Sequence, residues 1–311
     1  MNSKVSISVI IPVTERYDDV AEVYSAYKRG LEKCSSSYEI IYVLDGAYPS
    51  VEKVLMSLRE KGEPIKILCF ARSFGESVAL TAGFESATGG IILTLPAYFQ
   101  IVPDEIVRLV EALSGYDVVT ARRHPRGDGR FKIFQAKMFN GVLRFLLDSP
   151  FKDLGCSARV FRREVIEQVH IYGDQHRFLP LIAFRQGFTV QEIDVAQQEK
   201  DSFRRANPFG VYVRRSLDIL TIYFLLKFTF KPLRFFGLVG LTLASIGMVL
   251  LGYIIFERLF LGVALGDRPV MLLASLMVVL GIQSIAVGLV GEIIIFANAG
   301  GSKEYKIQKV I

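Results

Sequence analysis

The sequence predicts an α/β domain built on a mostly parallel sheet, followed by two membrane-spanning helices. Three observations point there. Short β-branched runs alternate with helical patterns as far as about Asp194, the rhythm of repeated βα units. The runs are almost continuously apolar, as parallel strands covered on both faces are. Two stretches of the last third, about 235–256 and 270–296, are apolar and long enough to cross a bilayer.

In order, the strands are Val5 to Val13 (VSISVIIPV), Tyr38 to Leu44 (YEIIYVL), Ile65 to Ala71 (IKILCFA), Gly90 to Leu95 (GIILTL) and Tyr116 to Ala121 (YDVVTA), with helices between them. The helix after the fourth strand is the best marked. Pro103 presets its first turn, Asp104 and Glu105 suit the positive end of its dipole, and Ile106, Leu109, Val110 and Leu113 recur on one face.

From about Gly210 the stretch GVYVRRSLDILTIYFLLKFTF is basic at one end, amphipathic and aromatic. That suits a helix lying in the membrane interface, with Arg214, Arg215 and Lys227 near headgroups. A core helix of the globular domain is the alternative, and the position directly before a lipid span favours the interface.

Phe235 to Phe256 carries no charge; at about 1.5 Å per residue it spans a hydrocarbon core of about 30 Å. Val270 to Phe296 forms a second span, and the short loop Glu257 to Pro269 turns the chain back, so both long ends lie on one side. Lys227, Lys231 and Arg234 precede the first span and Lys303, Lys306 and Lys309 follow the second, while Arg258 and Arg268 in the loop are offset by Glu257 and Asp267. The large domain is therefore expected on the cytoplasmic side of the inner membrane. VSISVIIPV is too short and too β-branched for a signal peptide. The expected division is 1–209 for the cytoplasmic domain, 210–231 for the interfacial region, 232–298 for the two spans and 299–311 for a cytoplasmic tail.

Composition agrees. A hydrophobic share of 51% and a mean hydropathy of +0.37 are too apolar for an ordinary soluble chain of 311 residues. Cys34, Cys69 and Cys156 form no close pair, which argues against a disulfide framework or zinc site and for buried small hydrophobes in a reducing compartment. His124, His170 and His176 lie too far apart for a helical ligand pair. The net charge of +6 admits nucleic acid, an anionic membrane or a phosphorylated substrate. The apolar last third favours the latter two, and no nucleic-acid motif is present. Glu292 and Gln283 are polar residues of the second span; Glu292 is either functional or a snorkelling side chain near the interface.

In an open parallel sheet, ligands bind beyond the carboxyl ends of the strands. The first strand ends in PVTER, with no G-x-G-x-x-G to admit a dinucleotide. The second ends in Leu44-Asp45-Gly46-Ala47, the third in Ala71-Arg72-Ser73-Phe74-Gly75 and the fourth in LPAYFQIVPDE. Singly, Asp45 reads as a helix cap and Arg72 as a surface ion pair. Together they suit a nucleotide pocket, with Glu15 and Asp45 accepting from sugar hydroxyls or base N–H groups and Arg72 meeting a phosphate or carboxylate.

The succession PVTE, LDGA, ARSFGESVALTAGFESATGG, LPAYFQIVPDE, DLGCSARVFRREV, RFLPLIAFRQGFTVQEIDV, PLRFFGLVG and GLVGEI resembles, over nearly the whole chain, the membrane-bound polyprenyl-phosphate glycosyltransferases of glycosyltransferase family two. The resemblance implies a glycosyltransferase-A type domain that passes a sugar from a nucleotide sugar, with Mg²⁺ or Mn²⁺, to a lipid phosphate at the membrane face. It also implies that Glu15 and Asp45 contact the nucleoside, that Arg72 and Gly75 line the donor pocket, and that Asp153 and Arg159 face the acceptor.

One motif departs from that family. Its metal site reads Asp-Ala-Asp-Leu-Gln-Asp, whereas this chain has Pro96-Ala97-Tyr98-Phe99-Gln100-Ile101, which keeps only Gln100 for the donor site. A dication bridging a diphosphate asks for hard anionic oxygens, and neither proline nor a neutral tyrosine supplies one. No metal cofactor is therefore expected. Arg122, Arg123, Arg126, Arg130 and Lys132 either neutralise the leaving diphosphate or form a solvated, headgroup-facing surface.

Asp153, in Asp153-Leu-Gly-Cys156, orients the acceptor, acts as a base or caps a turn, although a lipid phosphate scarcely needs deprotonation. Arg204 and Arg205 are candidates for the lipid phosphate, although the Gly-x-Ser-Lys-Tyr that follows in the family is missing. Two functions stay open: a sugar transferase, or a silent relative that scaffolds an active glycosyltransferase. The expected partners are a nucleotide sugar, polyprenyl phosphate, membrane lipid, and a second copy or related enzyme. Two spans enclose no polar pathway, which disfavours a channel.

Overall fold

The computed structural model describes residues 6–34, 37–127, 141, 144, 149–169, 171, 175–202, 232–262 and 269–298. The described residues fall into two compact units, one ending at Ser202 and one running from Pro232 to Asn298. The proposed interfacial helix, Arg130, Lys132, Arg204, Arg205 and the 299–311 tail lie outside the described residues.

The first unit holds a seven-stranded sheet in the order β3-β2-β1-β4-β6-β5-β7. Its strands are β1 (Ile7–Val13), β2 (Tyr38–Leu44), β3 (Ile65–Cys69), β4 (Ile91–Thr94), β5 (Val118–Arg123), β6 (Arg159–Arg162) and β7 (Val190–Val195). Only β6 runs against its neighbours, β4 and β5; the other pairings are parallel. The central strand β1 is buried at every position, which is why its sequence shows no polar alternation.

The helices are α1 (Val20–Glu32), α2 (Pro49–Glu60), α3 (Glu76–Ser86), α4 (Glu105–Ala112), α5 (Arg163–Gln168), α6 (Leu179–Arg185) and the short α7 (Glu199–Ser202). The first five strands match the apolar runs to within a few residues. Strands β6 and β7 were not foreseen: RVFR is four residues long with a charge at each end, and VQEIDV is a half-exposed edge strand. Arg122 and Arg123 belong to β5 itself, not to a segment beyond it.

Two packing details place the loop after β4. A Cβ on Gly30 would fall 2.5 Å from the Pro103 carbonyl oxygen, so the missing side chain lets α1 close onto that loop. The fully buried Tyr27 puts its hydroxyl 3.0 Å from the carbonyls of both Pro96 and Tyr98. The cysteine expectation holds only for Cys156, which is buried; Cys34 is half-buried and Cys69, at the end of an outer strand, is exposed.

The second unit is a pair of helices, α8 (Pro232–Leu261) and α9 (Pro269–Asn298). Both are long and apolar enough to cross a membrane, and only 22% and 11% of their most apolar windows are buried, which is wrong for core helices of a soluble fold. Helix α8 runs past the expected end of the first span, so Glu257 and Arg258 are helical rather than part of a loop. Glu292 has a structural partner: its carboxylate accepts the Leu233 N–H at 3.4 Å, one of the donors left over in the first turn of α8. Ser284 donates to the Phe236 carbonyl at 3.0 Å and ties the helices one turn deeper.

Candidate functional site

The carboxyl ends of β3, β2, β1 and β4 are neighbours in the sheet and present four loops to one rim. Asp45, at the end of β2, is buried and accepts hydrogen bonds from Ser73 Oγ at 2.7 Å, Phe74 N at 2.7 Å and Gly75 N at 3.0 Å. Its carboxylate pins the β3–α3 loop, which can turn there because Gly75 takes φ +98° before the first turn of α3. Arg72 on that loop is exposed, 5.0 Å from the Phe74 ring centre, and Glu15 beyond β1 is exposed as well.

The loop after β4 is a buried frame with one outward residue. Pro96, Ala97, Phe99, Gln100 and Ile101 are buried, and Tyr98 is half-buried. Asp18 fastens the loop to the β1 end: its backbone N–H donates to the Ala97 carbonyl and its carboxylate accepts the Phe99 N–H, each at 2.9 Å. Gln100 also faces inward. Its Oε1 accepts the Ser157 N–H at 2.8 Å and its Nε2 donates to the Tyr98 hydroxyl at 3.2 Å, so it joins two loops instead of standing open in the donor site.

Over Tyr98 lies a residue the sequence reading passed by. The Arg16 guanidinium carbon sits 3.5 Å from the Tyr98 ring centre, a stacked cation–π contact, and Arg16 Nη2 donates to Asp201 Oδ1. Burial raises the Tyr98 phenol, and the opposing pull of Arg16 does not bring it back to its ordinary value. The ring is neutral at physiological pH.

Behind this contact runs a chain of buried charge. Arg123 holds Asp153 through Nε at 2.9 Å and Nη2 at 3.0 Å, and reaches Asp201 through Nη1 at 3.2 Å. Arg126 approaches Asp153 at 3.7 Å. Burial pushes the Asp153 carboxyl up, but Arg123, through its charge and hydrogen bonds, together with Arg126 leaves it below the usual carboxylate range. Asp153 was expected to face the acceptor; the structure makes it the counter-ion of a buried arginine. Arg123 was expected either to neutralise the diphosphate or to lie on a solvated, headgroup-facing surface; instead it is buried with its guanidinium on two aspartates. Arg122 pairs with Asp194 at 3.3 Å.

Arg159 is buried and donates to the carbonyls of His176, Leu154 and Arg177, so it braces loops behind the rim. Burial pulls its guanidinium down to about 10, which leaves it charged at neutral pH. Beside it, His176 pairs with Glu76 at 3.3 Å and with Ser77 Oγ at 3.0 Å.

The residues do not fit a divalent metal. Pro96 to Ile101 carry no carboxylate, the Asp18 carboxylate that touches this loop accepts the Phe99 N–H, Asp153 and Asp201 are held by guanidinium groups, and an ion beside Tyr98 would face the charge of Arg16. Among the described residues no group of three or more His, Cys, Asp or Glu side chains is arranged to hold one. The structure thus brings Glu15, Asp45, Arg72 and Gly75 to one rim, sets Gln100, Arg123, Asp153 and Arg159 behind it, and adds Arg16, Tyr98 and Asp201. The pairing of Arg16 with Asp201 joins residues 185 positions apart and has no signature in the sequence.

The glycosyl transferase family 2 profile matches residues 8–169. The undecaprenyl-phosphate 4-deoxy-4-formamido-L-arabinose transferase of Proteus mirabilis is 32% identical over 98% of this chain and 94% of its own length. The protein of that name from Photorhabdus laumondii is 31% identical over the same shares. Among solved structures, mannosyl-3-phosphoglycerate synthase from Rubrobacter xylanophilus aligns with a TM-score of 0.55 at 16% identity, covering 70% of this chain and 73% of that one. Glucosyl-3-phosphoglycerate synthase from Mycobacterium tuberculosis, solved with Mn²⁺ and UDP-glucose, gives 0.54 at 16% identity over 71% and 79%. These two likenesses are of fold, and they identify the mixed sheet as glycosyltransferase-A type.

Proposed function

The chain belongs to glycosyl transferase family 2, and from that premise we propose that it transfers a sugar from a nucleotide sugar to undecaprenyl phosphate, without a divalent metal at the usual site. One observation carries the reading: the likeness to named transferases runs through 98% of the chain, taking in both the strand-end rim and the two apolar helices. Two helices that expose apolar side chains suit an enzyme whose acceptor is itself dissolved in lipid. We place them across the cytoplasmic membrane, with the sheet on the cytoplasmic side where charged donors are made.

In this reading the nucleotide sugar lies across the rim. Glu15 and Arg72 flank it, Asp45 and Gly75 set the loop that receives it, and Asp153, Arg123, Arg159 and Gln100 hold the surrounding backbone in place. Arg204 and Arg205 are assigned to the lipid phosphate. The acceptor phosphate is already anionic at neutral pH, so attack on the anomeric carbon requires orientation more than a base.

The test is transfer by the full-length protein in nanodiscs containing undecaprenyl phosphate, offered a panel of radiolabelled UDP- and GDP-sugars. Label is expected in the lipid fraction for at least one donor. Absence of transfer together with absence of UDP and GDP binding would contradict the reading.

A further inference from the structure

We infer that the Arg16 guanidinium, held flat against Tyr98, is the cation that meets the donor's diphosphate where relatives of this fold use a divalent metal; the inference rests on the transferase reading above. Arg16 follows β1 and Tyr98 follows β4, adjacent parallel strands whose carboxyl ends open onto the rim. Tyr98 stands in the place of a metal-binding carboxylate, and the atom group covering it is a positive charge.

Arg16, Arg123 and Arg126 face Asp153 and Asp201 in one connected network. Of these three cations Arg16 is the one most open to the rim. The side chains of Arg123 and Arg126 are 9% and 19% exposed, whereas Arg16 is 40% exposed at the rim. Arg16 Nε is buried and makes no hydrogen bond in the structure, so the guanidinium is not saturated by its protein partners. Asp201 and the Tyr98 ring fix its plane, so little reorganisation is needed when charge develops.

The step balances as follows. An oxygen of the lipid phosphate forms a bond to the anomeric carbon, the bond from that carbon to the β-phosphate oxygen breaks, and the electron pair leaves with the nucleoside diphosphate. The leaving group gains one negative charge. A guanidinium beside it stabilises that charge through oriented hydrogen bonds, as a dication does by contact.

The experiment measures UDP and GDP binding to full-length protein in detergent with excess EDTA, for the wild type, Arg16→Ala, Arg16→Gln and Arg16→Lys, with thermal transitions recorded alongside. The wild type is expected to bind one of the two diphosphates. Arg16→Ala should weaken that Kd by about 10-fold or more and leave the affinity for the matching phosphate-free nucleoside unchanged, while Arg16→Lys recovers most of the loss. Should Arg16→Ala lose its thermal transition, Arg16→Gln, which removes the charge but keeps a hydrogen-bonding side chain over Tyr98, must show the same weakening. Equal diphosphate affinity in the neutral variants, or parallel loss of nucleoside binding, overturns the inference alone. Wild-type protein that binds neither diphosphate overturns the transferase reading and the inference with it.

Discussion

Replacing Asp153 with asparagine is expected to cost the soluble unit about 3–5 kcal/mol, the usual penalty for removing one partner of a buried ion pair. Both members are deeply buried, at 5% exposure for the Asp153 side chain and 9% for Arg123. Asparagine keeps the shape but leaves a guanidinium facing a neutral amide, with Asp201 as its remaining carboxylate. For a unit of this size the loss corresponds to a fall of roughly 6–20 °C in Tm. The double change Asp153→Leu with Arg123→Met should cost less than Asp153→Asn, because it removes the unpaired charge along with its partner.

The pH dependence has a fixed sign. The folded pKa of Asp153 lies below its unfolded value, so its contribution is complete above the unfolded carboxyl pKa of about 3.9 and disappears as pH falls through the folded value. Glu76 acts in the same sense: burial raises it, but the His176 hydrogen bond together with the charges of His176, Arg177 and Arg159 leaves it lowered. Glu192 acts oppositely, because burial raises it and its ionisation costs stability. Thermal melts should therefore show an acid limb below about pH 4 that is shallower in Asp153→Asn. A variant melting within 2 °C of wild type at neutral pH would show that the pair does not hold the loops (about 1 kcal/mol or less).

Leucine at Gly281 is expected to force helices α8 and α9 apart. A Cβ there would lie 2.6 Å from the Gly240 carbonyl oxygen and 2.7 Å from the Ala244 nitrogen; the reciprocal Cβ on Gly240 would lie 2.5 Å from the Gly281 carbonyl oxygen. These obstacles are backbone atoms, which no rotamer change relieves. Overpacking of this kind costs about 1–3 kcal/mol where the neighbours can adjust, and more where they cannot. Without a hydrophobic drive between helices in lipid, close backbone approach at small residues is what holds such a pair. Gly252→Leu is the matched control, since a Cβ there meets nothing within 4 Å. Spin labels at the exposed positions Leu241 and Ile282 should report a longer and broader distance for Gly281→Leu in nanodiscs and no change for Gly252→Leu. An unchanged distance in Gly281→Leu would contradict the packing.

What could be read from the sequence follows from what leaves a local signal. Strands β1 and β2 are apolar through most of their buried core and stand out at once, and Pro103 with Asp104 and Glu105 marks α4. Strand β6 escapes because four residues are too few to show a period and both ends are arginine. At the site, topology alone brings Glu15, Asp45, Arg72 and Gly75 to one rim. The roles of Asp153, Arg123 and Arg159 could not be read, because burial and pairing decide them: Asp153 and Arg123 are 30 positions apart. Arg16 was within view in PVTER, but only the fold shows that it stacks on Tyr98, 3.5 Å from the ring centre.

The proposed substitution of a guanidinium for a dication is the centre of the account, and its most direct test compares one affinity under two conditions. UDP and GDP are titrated into the wild-type full-length protein, first in excess EDTA and then in Mn²⁺ buffered well above the nucleotide concentration. The ratio of the two Kd values for the diphosphate that binds is predicted to stay within about twofold, less than about 0.5 kcal/mol. Binding at least tenfold tighter with Mn²⁺ would contradict the account.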